Sequence, residues 1–336
     1  MQSVSTVSPS PRSSSRRTDS LYTLLVFLSL VLVLVVVILS AYLRLAGSGL
    51  GCAEWPACYA LIKSRAGGTE SLAAAHLVPA WATVIHRLAA STLGAMVVGI
   101  TLMALRRRRL PGHNTGLSLA VLGLTVFLSV LGYKTPSPLL PWVTLSNLLG
   151  GMAMLAMLWW LGQRSVSATG GDARASSLRP WARVGVLMVF CQIALGGWVS
   201  ANFAALACTG VPGCGAFPWL DGPWHESLNL FRVLPITDGG VIITGDVAKL
   251  IHMIHRLGAV VTFLYIGWLG WRGFRLGDRY RGTGMAILAL LLLQILLGIA
   301  AVVFGLPVSM VTAHNAVAAL LLLSTVNLMH LVTPRA

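Results

Sequence analysis

The chain has 336 residues, 56% of them hydrophobic and only 10% charged, with a mean hydropathy of +0.81. Soluble domains carry about a quarter of their residues as charges, so this composition excludes an ordinary soluble enzyme. The net charge of +15 does not mark a nucleic-acid binder, because the basic residues stand in alternate connections between long apolar runs.

Crossing about 30 Å of hydrocarbon takes around 20 apolar residues. Eight runs are that long or nearly so: 21–43, 79–105, 117–133, 141–162, 184–202, 247–270, 284–304 and 309–332. A backbone in lipid must satisfy its own hydrogen bonds, so each is read as a helix. The Ser/Arg-rich segment 1–20, whose one acid is Asp19, is expected to be a disordered cytoplasmic tail, with a mitochondrial transit segment as the alternative. The first run lacks the short apolar core and small-residue cleavage site of a secretory signal and is read as a retained anchor. Arg12, Arg16 and Arg17, Arg106 to Arg109, Arg164, Arg174, Arg179 and Arg183, and Arg272, Arg275, Arg279 and Arg281 all fall on one side. The opposite connections hold little beyond Lys63, Arg65, Lys134 and Arg232. That asymmetry places both termini in the cytoplasm. A bacterial inner membrane is expected, with the mitochondrial inner membrane as the alternative.

Two outer connections carry cysteine pairs of equal spacing. Cys52 and Cys58 bracket CAEWPAC after the first span, and Cys208 and Cys214 bracket CTGVPGC after the fifth. Disulfides persist on the oxidising face, so Cys52–Cys58 and Cys208–Cys214 are the expected bonds. Two sulfurs per loop are too few for a structural zinc site. Cys191, inside the fifth span, reads as a small core residue.

The second span opens on IHRLAAS, around His86 and Arg87, and the fourth on VTLSNLLGG, around Asn147. The sixth opens on IHRLGAVV, around His255 and Arg256, and the eighth on VTAHNAVAALLLL, around His314. The key positions lie 61 residues apart in the first half and 59 in the second. Between the halves, 163–183 is polar and Gly/Ser-rich and reads as a cytoplasmic linker. The same order of spans and loops thus occurs twice in one orientation, a parallel internal repeat. The expected fold is all-α: a polytopic membrane protein whose eight helices form two tandem four-helix bundles, 21–162 and 184–332. Cofactor sites of bundles lie between facing helices.

Ionisable groups inside a membrane are expensive and point to function. His86, His255 and His314 lie roughly five to eight residues into their spans, about 7–12 Å deep at the helical rise, and so share one layer near the outer surface. Imidazole suits iron, and haem is held by axial side chains in a packed pocket. His255 and His314 are therefore candidate ligands of one six-coordinate haem iron, and His86 is the candidate in the first half. Arg87 and Arg256 either snorkel to headgroups or pair with haem propionates. His252, one turn before His255, is placed behind the ligands. His113 and His330 fall at the inner side, and His76 in the outer loop.

Together these phrases resemble a known family. RLAGSGLGCAEWPAC (Arg44 to Cys58), IHRLAAS, LLGGMAMLAMLWWL (Leu148 to Leu161), GGWVSANFAALAC (Gly196 to Cys208), IHMIHRLGA (Ile251 to Ala259) and AHNAVAALLLL occur in that order between about Ser40 and Leu331. They are similar to motifs of the haem A synthases, cytochrome-oxidase assembly proteins that convert haem O to haem A. The resemblance implies a resident haem B in the second half, held through His255 and His314. It implies that the first half takes haem O as substrate, with His86 catalytic. It also implies a second histidine there, and a carboxylate three residues before the first. Those positions hold Asn147 (or Ser146, if the VT pair is aligned) and Thr83, while Glu54 and Glu70 of the outer loop are candidates to replace the acid.

The implied reaction oxidises a porphyrin methyl to a formyl group through successive hydroxylations. The implied partners are haem O, haem O synthase and the oxidase assembly machinery, in membrane lipid, without nucleic acid; a homo-oligomer is left open. The competing reading, drawn from Thr83 and Asn147, is a non-catalytic haem B-binding relative acting in oxidase assembly or haem handling. A di-haem cytochrome of the b type would need four ligand histidines, where three are well placed.

Overall fold

The computed structural model describes residues 12–47, 80–108, 113–134, 140–166, 173–208, 210, 214, 221–235 and 245–333. Among them are eight long helices: α1 (Arg12–Gly47), α2 (Ala80–Arg106), α3 (Thr115–Lys134), α4 (Pro141–Val166), α5 (Arg179–Ala201), α6 (Gly245–Arg275), α7 (Asp278–Val303) and α8 (Val308–Leu331). Two single helical turns, Ala173–Ser176 and Trp224–Ser227, lie in the connections, and the described residues contain no strand. All eight helices are long and apolar enough to cross a membrane. The chain is an all-α, multi-pass membrane protein.

Several helices overrun their apolar runs at their arginine-bearing ends. Helix α1 starts at Arg12, within the segment read as a disordered tail. Helix α4 continues to Val166 and α5 starts at Arg179, both inside the stretch read as a linker. Helix α6 runs on to Arg275, and α7 starts as early as Asp278. Hydropathy marks only the hydrocarbon layer, whereas a helix continues through the headgroup zone, to about 40–45 Å in all. Arginines at the helix ends reach water there on their long stems. Asp246 and Asp278 sit in the first turns of α6 and α7, where a carboxylate offsets the helix dipole.

Within the first half, α1 packs on α2, α2 on α3, α3 on α4 and α4 back on α1. In the second half α5, α6, α7 and α8 close a ring in the same way. The rings meet where α4 packs on α5 and α8, and where α1 packs on α8. A continuous core joins them, with Leu155, Leu158 and Leu161 of α4 in the same cluster as Ile266, Leu269, Ile287 and Leu322. One crossing needs a bare backbone: a Cβ on Gly284 of α7 would come within 2.7 Å of the Gly270 carbonyl and closer still to the Phe274 nitrogen of α6.

At the arginine-bearing end, Gln163 of α4 donates to Asn327 of α8, which donates at 2.9 Å to Thr283 of α7. His330 packs edge-on against Trp160 at 5.3 Å, and His113 lies 4.3 Å from the Tyr22 ring. Both histidines therefore lie toward the helix ends opposite those that carry His255 and His314. Cys191 is not a core residue: it is exposed on α5, because that helix buries the Val189, Ile193 and Gly197 face. Cys52, Cys58, His76, Glu54 and Glu70 lie outside the described residues.

Candidate functional site

His255 stands in the third turn of α6 and His314 in the second turn of α8, and both line one cavity of about 500 Å³. Val189, Ile193, Leu291, Ile295 and Ala318 make its apolar wall. Ala41 and Arg44 of α1 and Leu148 of α4 reach into it from the first half. The size is that of a typical cofactor pocket, and so is the pattern of a few polar groups in an apolar lining.

Each histidine is gripped by the helix before its own. On α5, the Gln192 carboxamide nitrogen lies 3.0 Å from His255 Nδ1 and donates at 3.0 Å to the His255 carbonyl. On α7, the Gln294 carbonyl accepts a hydrogen bond from His314 Nδ1 at 3.1 Å, and its carboxamide nitrogen lies 3.2 Å from His314 Nε2. One turn further along each helix, a glycine makes room for the ring. A Cβ on Gly196 would lie 3.0 Å from His255 Cε1, and one on Gly298 3.1 Å from His314 Cε1.

The sequence reading passed over these four residues. Their signal is a repeat inside the second half, Gln192-Ile-Ala-Leu-Gly196 against Gln294-Ile-Leu-Leu-Gly298. Comparing the halves hides it. Aligned on the cysteine pairs, Gln192 and Gly196 fall on Val36 and Ser40. Aligned on Thr-Gly at 115 and 283, Gln294 and Gly298 fall on Val126 and Val130.

Phe203 and Ala205, just after α5, also line the cavity. Cys208 and Cys214 are joined, with Cα atoms 4.8 Å apart. Arg256 donates to the Cys208 carbonyl at 2.7 Å, to the Gly210 carbonyl at 2.6 Å, and through Nε to His252 Nε2 at 3.2 Å. The guanidinium, read from sequence as reaching either a headgroup or a haem propionate, ties Cys208 and Gly210 to α6. His252 is buried behind it. Trp198 donates to the Ser227 carbonyl at 2.8 Å. Arg44 of α1 donates to Ser200 of α5, its own counterpart when the cysteine pairs are aligned.

The first-half residues stand apart from this cavity. His86 is half-buried on α2 and Arg87 beside it is exposed, while Ser146 and Asn147 are half-buried on α4. The cavity lining includes none of them. Thr83 lies on α2, one turn before His86. Among the described residues no cluster of three or more His, Cys, Asp or Glu could hold a bare metal ion. Two imidazoles on one apolar cavity, each with a glycine-made seat, fit an iron that brings its own equatorial ligands.

A model of the COX15-CtaA family, described as cytochrome oxidase assembly protein, matches residues 23–326. A protein named Heme A synthase from Shewanella oneidensis is 34% identical over 324 residues, covering 91% of this chain and 95% of its own length. A second Heme A synthase, from Rhizorhabdus wittichii, is 23% identical across 93% of this chain and 94% of its own.

Proposed function

The chain belongs to the COX15-CtaA family of cytochrome oxidase assembly proteins, and from that premise we propose that it is a haem A synthase, oxidising a methyl group of haem O to a formyl group for cytochrome oxidase. The observation that carries the resident-cofactor part is the pair His255 and His314 on one apolar cavity. These two side chains would hold a haem B, which supplies one-electron transfer when bound. The apolar walls keep water from the site, and Gln192 and Gln294 orient the two rings.

The substrate belongs to the first half. His86 binds it there, and Ser146 and Asn147 offer only a hydroxyl and an amide, neither a usual haem-iron ligand. Thr83 can hydrogen-bond but cannot take up a proton as a carboxylate does, and Glu54 and Glu70 of the outer loop are only candidates to replace it. The one-sided arginines put both termini in the cytoplasm and both cysteine loops outside, in a bacterial inner membrane. A haem O synthase must supply the substrate.

The test is chromatography of haems extracted from the purified protein, co-expressed in a host that makes haem O but no haem A. Haem A or its hydroxylated precursor, formed with intact His86 and lost in His86→Ala, supports the synthase. Thr83 and Asn147 favour a second reading, a haem B-binding assembly factor without turnover. Haem B alone, lost in His255→Ala or His314→Ala and unaffected by His86→Ala, establishes that reading instead.

A further inference from the structure

We propose that Gln192 is the positioning residue of His255, its carboxamide oxygen taking the ring's Nδ1 proton, whereas His314 receives the same service from the main-chain carbonyl of Gln294. The two ligands of one haem are then tuned by unlike groups, one of them replaceable by mutation. The inference rests on reading His255 and His314 as haem ligands.

An imidazole that binds a metal through one nitrogen carries its proton on the other, and that proton needs an acceptor. For His314 the acceptor is fixed. Nδ1 lies 3.1 Å from the Gln294 carbonyl oxygen, which can only accept. The proton therefore resides on Nδ1, and Nε2 keeps its lone pair. No substitution at position 294 removes a main-chain carbonyl.

His255 has a side chain in that place. Its Nδ1 is 3.0 Å from the Gln192 nitrogen, which also donates to the His255 carbonyl. The Gln192 oxygen, Oε1, is buried with no hydrogen-bond partner among the described residues, a costly condition for a carbonyl. A small rotation that keeps the nitrogen on the His255 carbonyl and brings Oε1 to Nδ1 gives the oxygen its missing donor and the ring proton its acceptor. Gly258 on α6 leaves the space the carboxamide occupies, since a Cβ there would meet Gln192 Oε1.

The strength of that acceptor sets how basic the imidazole is toward iron, and such partners typically govern metal affinity by about 10–100-fold. The test uses full-length protein in detergent, with the reduction potential and low-spin EPR spectrum of the bound haem as readouts. Gln192→Glu, a stronger acceptor of the same shape, should lower the potential and narrow the spread of g values. Gln192→Leu should raise the potential and weaken haem retention roughly tenfold or more. Gln294→Leu should move the potential less than Gln192→Leu.

A merely structural role for Gln192 would drive both of its variants the same way. That outcome overturns the proposal, as does a Gln294→Leu shift equal to that of Gln192→Leu. If the leucine variant does not accumulate, an unmoved or raised potential in Gln192→Glu is sufficient refutation. A parent protein lacking a low-spin haem that depends on His255 and His314 sinks the underlying reading, and this proposal with it. A parent that has such a haem while its Gln192 variants do not shift loses this proposal alone.

Discussion

Gly196→Ala tests the seat of His255 with a single methyl group. That carbon would lie 3.0 Å from ring Cε1, 3.6 Å from Nδ1 and 3.7 Å from Nε2. Carbon atoms pack best at about 3.5–4.0 Å, so the ring must retreat by roughly 0.5 Å or more, or α5 and α6 must part by as much. The ring is not free to retreat, because Gln192 holds both its Nδ1 and the carbonyl of its own residue. Overpacking of this kind costs about 1–3 kcal/mol. The same substitution favours the helix by about 1 kcal/mol, so the fold changes little while the strain falls on the ring. If that strain appears in cofactor binding, affinity drops by about 5–150-fold. The assay is the rate of haem transfer to apomyoglobin, with thermal unfolding in the same detergent as a control. Gly123→Ala, where nothing among the described residues outside its own helix backbone comes within 4 Å of the added carbon, should leave both unchanged. Retention in Gly196→Ala equal to the parent's would refute the cradle.

Three further substitutions address other parts of the molecule. Thr-Gly and Val-Thr stand 28 residues apart in both halves, Thr115 to Val143 and Thr283 to Val311, which pairs Ser146 with His314. Ser146→His, and not Asn147→His, should therefore add a second low-spin haem to the spectrum; the reverse result would shift the alignment by one residue. Arg256→Met removes charge-assisted bonds to the Cys208 and Gly210 carbonyls, each worth about 1.5–3 kcal/mol. Faster protease cutting at 208–214 is expected, and unchanged cutting would separate the arginine from the loop. Asn327→Leu strands Gln163 and Thr283 at a cost of about 1–3 kcal/mol. It should lower the unfolding temperature and leave the haem spectrum alone, and a changed spectrum would contradict the placement of this contact far from the cofactor.

The eight spans were legible because lipid leaves a chain almost no other structure, and their arginine-bearing ends were not, because arginines that look like loop residues continue the helices. His255 and His314 stood out as polar groups in apolar runs, set in phrases that the first half repeats. Gln192 and Gln294 are equally polar but have valines as first-half counterparts, so a comparison of halves passes over them. Arg256 showed a cation in need of an acceptor, and only the folded loop reveals backbone carbonyls in that place. Cys191 was misplaced for a simpler reason. An all-apolar helix has no polar face to distinguish lipid from core.

Gly196 and Gly197 are neighbours that look in different directions, the first at His255 and the second at Leu145 and Leu148 of α4. At this depth α5 is a party wall, little more than backbone thick, with a cofactor seat on one side and the other half's helix pressed on the opposite side. A bulkier residue at 196 would press on the cofactor seat, and one at 197 on the other half's helix. Whatever the first half binds, α4 is also the buttress against which the second half's pocket keeps its shape.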